Sequence, residues 1–450
     1  MLSLWQLTIL ISATIIGLTL AYVNHLPLAV GFLLGLSTLI YQTSKMGTDK
    51  ATIIKAMKSG VVQMKEVVYI LTLIGILIPA WTASGTIPYM IHWGLNWINP
   101  TYFLTGSFII TAIVSMLLGT CLGSLSAIGI PLFGVGALMH VSIPALAGAL
   151  VSGAVVGDRT SPVSSANHLV AAATGVSIKK QANAILPTTI GALLISTLFF
   201  LALDLMGQWD VAKGVTLDYS FDQWFNFHLS LLIPPVLLMA GIVLRFKTIN
   251  AFLMSIISSL LIGSIYQYIA IGQWLCHLVF GFNGTNISVL HNKGLLNMIQ
   301  LVVLIVLTGA FNGILEETRV IEPYIRNILG KSASLLSATL RTSIFGVILN
   351  LIACNQALPI VISGRNLKPI WAERFPVSQL SRVIADSHVV YAAMVPWNMM
   401  AIMSSAILGV SVSDYVPFAI FLWILPLLTI AFSGYQTATN KAKVSKSTAI

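Results

Sequence analysis

The chain has 450 residues, 57% of them hydrophobic and only 8% charged. A soluble domain carries roughly a quarter of its residues as charges, so this composition excludes a hydrated globular protein and makes lipid the solvent for most of the surface. The formal net charge of +10 would suit a polyanion, but the basic residues sit in the loops and tail between apolar runs, which argues against nucleic acid as a partner.

In chain order, apolar runs near the ~20 residues needed to cross a bilayer fall at 5–22, 26–42, 67–86, 101–118, 124–140, 143–157, 184–203, 229–245, 249–270, 296–315, 334–353, 389–408 and 415–433. Hydrocarbon leaves backbone groups no partner outside the segment, so spans are helices or a closed barrel. Runs without alternation exclude the barrel. The expected fold is all-α, a polytopic transmembrane helical bundle of about 10–13 spans, some of them half-spans or re-entrant.

The first run lacks a basic leader and a small-residue cleavage site, so it reads as a membrane helix and not a signal peptide. After the second run Lys45, Lys50, Lys55, Lys58 and Lys65 gather, while Ile53, Ile54, Met57, Val61, Met64 and Val68 recur near helical spacing. This predicts an amphipathic helix lying on the cytoplasmic leaflet. Arg245 with Lys247, and Lys441, Lys443 and Lys446 in the tail, mark further cytoplasmic ends. Asp204, Asp210, Asp218 and Asp222 against a lone Lys213 place 206–227 outside. The expectation is a multi-pass protein of the cell membrane with both termini cytoplasmic. Cys121, Cys276 and Cys354 form neither a disulfide framework nor a metal spacing.

From Val67 to Gly157, 91 residues pass without Asp, Glu, Lys or Arg. Then "GDRTSPVSSANH" (157–168) brings an acid, a base and a proline together. Three other polar, Gly- or Pro-broken segments interrupt apolar helix: 119–131 "GTCLGSLSAIGIP", 353–366 "ACNQALPIVISGRN" and 385–398 "ADSHVVYAAMVPWN". At membrane depth a broken helix persists only where protein or a water-filled cavity satisfies the freed backbone groups. Such groups suit desolvated Na⁺ or a substrate carboxylate.

Three landmarks recur in one order: Pro88-Tyr89 with Pro323-Tyr324, Cys121 with Cys354, and Gly157-Asp158 with Ala385-Asp386, at offsets of 235, 233 and 228. They predict two transport repeats, 60–205 and 295–434, inverted in the membrane with the site between them. Residues 1–59 are then an N-terminal addition, 206–294 a linker with two spans, and 435–450 a cytoplasmic tail.

Ionised carboxylates at membrane depth are costly and mark ion or proton pathways. Asp158 and Asp386 are therefore the expected groups to hold Na⁺ or trade it for H⁺. Neighbours on a helix point about 100° apart, so Arg159 is expected to face elsewhere, toward the interface, in place of a structural pair with Asp158. The expected lining is Thr120, Ser124, Ser161, Ser164, Ser165, Asn167, Asn355, Gln356, Ser387 and Asn398; the ordinary alternative for each is a helix cap or interhelical bond. His168 and His388 follow the two acids as candidate proton carriers, against the plainer role of hydrogen-bonded bundle residues. Glu316, Glu317 and Arg319 read as a solvated span end, with Glu316 the deeper acid. No resident cofactor is called for; the partners are membrane lipid and a small ion or molecule, and a homodimer is left open.

Gly157, Asp158, Arg159, Thr160, Ser161, Pro162, Val163, Ser164, Ser165, Ala166, Asn167, His168 and Leu169 resemble the Gly-Asp-Lys-Met-Ser-Pro-Leu-Ser-Asp-Thr-Thr-Asn-Leu pattern of the NhaC family of Na⁺/H⁺ antiporters, which includes malate/lactate exchangers. Cys354-Asn355-Gln356, Leu380-Ser381-Arg382, Ala385-Asp386-Ser387-His388-Val389 and Pro396-Trp397-Asn398 look like its second stretch, and "WTASGTIPYMIHWGL" (81–95) like its early segment. The resemblance covers about residues 60 to 434 and implies an alternating-access antiporter. The chain departs from the pattern at Ser165, where the family has a second acid, at Ala166-Asn167-His168, at His388-Val389, at Met399-Met400-Ala401 and at Thr120-Cys121-Leu122-Gly123-Ser124.

Two cargo readings stay open. The resemblance favours Na⁺/H⁺ antiport, the leading expectation. The lost acid and the Met-rich second motif favour ion-coupled transport or exchange of a small organic substrate, an amino acid or organic acid. A membrane-embedded enzyme is the remote alternative, since the chain has no HExxH, no paired histidines at metal spacing and no Gly-x-Ser-x-Gly. A passive channel would not need Asp-centred breaks in both halves, nor a scaffold buried acids.

Overall fold

The computed structural model describes residues 4–24, 26–207, 221–318 and 334–447. Asp210, Lys213, Asp218, Arg319 and the Pro323-Tyr324 landmark lie outside the described residues. The helices that matter run in order as α1 (Leu4–Val23), α2 (Leu28–Lys45), α3 (Lys50–Gln63), α4 (Lys65–Ala83), α5 (Thr86–Trp97), α6 (Phe103–Leu118) and α7 (Cys121–Leu138). Next come α8 (Ile143–Thr160), α9 (Ser165–Thr174), α10 (Ile178–Met206), α11 (Ile233–Val243), α12 (Thr248–Tyr266), α13 (Ile271–Phe280) and α14 (Met298–Thr318). The second half holds α15 (Leu335–Ile352), α16 (Ala357–Ala372), α17 (Val377–Asp386), α18 (Met399–Leu408) and α19 (Ile420–Ser447).

The described residues contain no strand, and the fold is a polytopic α-helical membrane bundle. Nine of the described helices are long and apolar enough to cross a membrane, or ten if α18 and the turn Val412–Phe418, bent by 90°, make one span. The sequence runs counted more generously because α2 and α8 end in polar residues, α11 is short and the run 389–408 is broken before α18. Helices such as α10 expose Leu194, Leu198 and Leu205 on one face, the outward apolar surface that lipid accommodates.

Small residues set the closest crossings. In α6 and α8, which run parallel, Gly153 lies against the backbone of Phe108 and Gly157 against that of Ser115, where a Cβ would collide. The Gly157 N–H donates to Ser115 Oγ at 3.1 Å. Asp204, at the end of α10, accepts the Leu104 and Thr105 N–H groups at 3.0 and 2.9 Å. It thus satisfies the first orphan donors of α6 and complements its positive end.

Two helix breaks follow from local chemistry. After α6 the chain turns through Gly119 in the left-handed region (φ 67), and Thr120 caps α7. A π-helical turn at Leu125–Gly129 loosens α7 further. Between α15 and α16 residues 353–356 leave the helix, with Cys354 at φ 31.

The basic amphipathic segment differs from its expectation. Helix α3 packs on α14, burying Ile53, Ala56 and Gly60 while Lys50, Lys55 and Lys58 remain exposed. Gly60 meets the backbone of Gly309 and Gly313, leaving no room for a side chain. Close backbone approach through small residues is how helices bind in lipid. Glu316 ends up at this junction, exposed and accepting a bond from Gln63 Nε2 at 3.1 Å, as a solvated span end. Replacing Gly60 by Leu should overpack the crossing and cost about 1–3 kcal/mol. Thermal unfolding of the detergent-purified protein should show a lower Tm for Gly60→Leu and an unchanged Tm for Lys58→Leu; equal values would contradict the packing.

Candidate functional site

Asp158 lies in the last turn of α8 and is 5% exposed. Its carboxylate receives the Cys121 backbone N–H, at the start of α7. Gln356 Nε2 donates to Asp158 Oδ2 at 3.0 Å and to the Val389 carbonyl at 3.2 Å. One partner comes from the break before α7 and the other from the break before α16, so the two breaks meet at one carboxylate. Both partners are neutral donors, and no ion pair reaches Asp158 among the described residues. The positive end of α7 adds to the field there. The Cys121 thiol, beside Asp158, is hydrogen-bonded with Ser404 of α18.

Asp386 is held differently. Arg159 Nε donates to Asp386 Oδ1 at 2.9 Å, and Arg159 Nη2 bonds the same oxygen. Arg159 Nη1 reaches Thr189 Oγ1 at 2.7 Å and Nη2 reaches Thr188 Oγ1 at 3.1 Å. Arg159 is therefore not at the interface. It is fully buried, and the helix rotation that turns it away from Asp158 aims it at the acid of the other half. One turn before Asp386 on α17, Arg382 is also fully buried. Its Nε and Nη2 donate to Thr429 and Ser433 at 3.2 and 2.7 Å, with the guanidinium over Phe432. Arg382 Nη1 and Asp386 Oδ2 have no hydrogen-bond partner among the described residues.

His388 is fully buried between two hydroxyls, Ser387 Oγ at 2.9 Å from Nδ1 and Ser363 Oγ at 2.7 Å from Nε2. Ser387 also donates to the Val383 carbonyl at 2.5 Å. His168 and Ser165, by contrast, are exposed, and His168 Nε2 lies 2.9 Å from the Pro162 carbonyl. The structure does not bring these two to the carboxylates.

Most of the remaining polar residues shape the breaks. Thr120 caps α7, and Ser124 donates back to the Thr120 and Cys121 carbonyls, both at 2.9 Å. Ser164 caps α9 and bonds the Asp158 carbonyl. Ser161 donates to the Met116 carbonyl at 2.8 Å. Asn355 accepts the Leu358 N–H at 2.8 Å, and Asn398 caps α18. Asn167 donates to the Ser161 carbonyl at 3.0 Å and accepts from Gln181, whose Oε1 takes the Ser381 hydroxyl at 2.8 Å.

Sequence reasoning did not single out Gln181, Thr188, Thr189, Ser363, Ser381 or the pairing of Arg159. A signal existed for three of them. Gln181, Thr188 and Thr189 form a buried polar stripe in the otherwise apolar α10. No cluster of three or more His, Cys, Asp or Glu suited to a metal occurs among the described residues. A cation at Asp158 would instead find one carboxylate and neutral oxygens.

A model of the Na⁺/H⁺ antiporter family matches residues 153–435, well over half of the chain and inclusive of both acids. The chain belongs to the Na⁺/H⁺ antiporter family. It is a multi-pass membrane antiporter. Its similarity extends over nearly the whole length of several relatives. The Na⁺/H⁺ antiporter NhaC of Alkalihalophilus pseudofirmus is 28% identical over 426 residues, 91% of this chain and 90% of that one. The malate-2H⁺/Na⁺-lactate antiporter of Bacillus subtilis is 27% identical over 460 residues, 97% of each chain. The arginine/ornithine antiporter ArcD of Halobacterium salinarum is 24% identical over 384 residues, 82% of this chain and 79% of that one.

Removing one partner of a buried ion pair strands the other charge, at a cost of about 3–5 kcal/mol. In this antiporter Arg159→Gln should therefore lower the Tm and the yield of folded protein sharply. The double variant Arg159→Gln/Asp386→Asn should recover much of the loss, because neither charge is left alone. Thermal unfolding of wild type, Arg159→Gln, Asp386→Asn and the double variant in detergent measures this coupling; additive losses would contradict it.

Proposed function

We propose that the antiporter couples H⁺ to Na⁺ exchange at Asp158, presenting that carboxylate to each side of the membrane in turn. The observation that carries the reading is the setting of Asp158: closed from water, held by neutral donors, and placed where both helix breaks meet. An ionised carboxylate with no counter-charge is costly in such a place. The site is therefore expected to reorient only with Na⁺ or H⁺ on board, which makes the exchange obligatory. Asp386 serves a different purpose, because Arg159 already compensates its charge. It ties the two halves together and fixes the Asp158 end of α8.

Further parts of the reading follow. Thr120, Ser164, Asn355 and Asn398 shape the breaks, Gln356 orients Asp158, and His388 sits in a hydroxyl cradle as a bundle residue. The order α6, break, α7, α8 with Asp158 recurs as α15, break, α16, α17 with Asp386, which supports two repeats related by inversion. The lysine-rich face of α3 supports a cytoplasmic side for that end, in a protein spanning the plasma membrane.

A second reading keeps the same coupling but replaces Na⁺ as cargo by a small organic molecule. The names of two relatives, a malate/lactate and an arginine/ornithine antiporter, favour it, since each matches most of this chain.

Proteoliposomes holding a pH-sensitive dye test the coupling. With Na⁺, Li⁺ or K⁺ added outside, wild type should move protons in response to at least Na⁺, and Asp158→Asn should fall to the rate of empty vesicles. Equal proton movement by wild type and Asp158→Asn would refute the role of Asp158. Silence of folded wild type toward every cation would remove the Na⁺ reading and leave organic cargo.

A further inference from the structure

A separate cavity of about 400 Å³ lies beyond the Asp158 cluster. Its walls are one side of α4, the middle of α7, the end of α18 and the segment 289–298 that leads into α14. Bare Na⁺ needs none of this room, whereas ~300–1,000 Å³ is the range of small-molecule sites. The cavity is close to the coupling site along two helices. Helix α7 runs from Cys121, whose N–H meets Asp158, to Ile130 and Phe133 in the cavity wall. Helix α18 runs from Ser404, the partner of the Cys121 thiol, to Ala406 in the same wall.

The lining chemistry is selective. Lys293 is the basic side chain of its wall beside His291; no Asp or Glu lines the cavity, and Lys293 has no ion pair among the described residues. A cation is repelled by such a wall and an anion attracted. The first turn of the segment entering α14, at Asn297 and Met298, adds the same sign. Acceptors are present as well. Pro79 lacks an N–H, so the Gly75 carbonyl loses its intrahelical donor, and Gly75 lines the cavity. A cationic group and a carbonyl without its helical donor in the walls of one cavity suit a carboxylate that also carries a hydroxyl or ammonium donor.

We propose that this cavity is a recognition site for a small organic carboxylate cargo, with Lys293 as the group that binds its anion. The proposal rests on the second, organic-cargo reading of the antiport and narrows its cargo class. Whether the neighbouring donor is the hydroxyl of a hydroxy acid or the ammonium of an amino acid is what the choice of probes separates.

The test uses full-length protein in proteoliposomes, with radiolabelled L-malate, L-lactate and L-alanine as probes and an opposing pH gradient. At least one probe should be taken up, and Lys293→Gln should raise its KM about three- to fivefold with little change in kcat, as loss of one exposed charge contact implies. Lys293→Arg should restore the KM, which a merely structural role would not do. In a second measurement, Asn297→Cys, in the cavity wall, should react more slowly with a maleimide when that probe is present. Uptake with the same KM in wild type and Lys293→Gln would overturn the cavity assignment. So would failure of all three probes both to enter and to protect Asn297→Cys. Loss of proton coupling in Asp158→Asn in the same vesicles would show that the antiport reading survives such a failure.

Discussion

The charged side chains Asp158, Arg159, Arg382 and Asp386 are buried within this bundle, and lipid leaves only other parts of the protein to satisfy them. Water would dissolve that problem; hydrocarbon does not. Much of the local architecture answers it. Arg159 crosses from α8 to Asp386 on α17, and two threonines of α10 take up its remaining donors. Arg382 spends its guanidinium on hydroxyls and a ring of α19. Asp158 alone has no arginine and leans on an amide side chain and a helix N-terminus.

In the proposed reading, this asymmetry turns a buried carboxylate into a coupling device. A salt-bridged acid is already neutralised and gains little from a cation or proton. An acid held only by neutral donors gains much from either, yet accommodates one at a time. On that reading the two acids divide their duties, Asp386 fixed by Arg159 and Asp158 carrying exchangeable charge. The unpartnered Arg382 Nη1 and Asp386 Oδ2 add a reserve of unsatisfied polarity beside the fixed pair, the kind of group that a change of state can engage.

The membrane fold was legible because hydropathy and the backbone's need for internal partners leave few alternatives. The breaks around α7 and after α8 were legible for the same reason, since Gly119 and Pro162 interrupt runs that would otherwise continue. Cys121 and Cys354, noted only for their positions, sit within two residues of the donors that meet Asp158. The identity of each partner was not legible. Adjacency in sequence suggested at most an Asp158–Arg159 pair, whereas the helix rotates Arg159 toward a residue 227 positions away. Hydroxyls show the same limit: Ser164 and Ser165 look alike in sequence, but one caps α9 under Asp158 while the next faces outward. His168 and His388 both follow their acids along the chain, and only packing makes one exposed and the other fully enclosed.

The most direct test of the division of labour between the acids is proton release from detergent-solubilised protein on addition of Na⁺, followed with a pH indicator in weak buffer. Wild type and the Arg159→Gln/Asp386→Asn double variant, once shown to be folded, should both release protons, while Asp158→Asn should release none. Release that persists in Asp158→Asn, or that vanishes only when Asp386 is neutralised, would place the exchangeable charge elsewhere and contradict the assignment of Asp158.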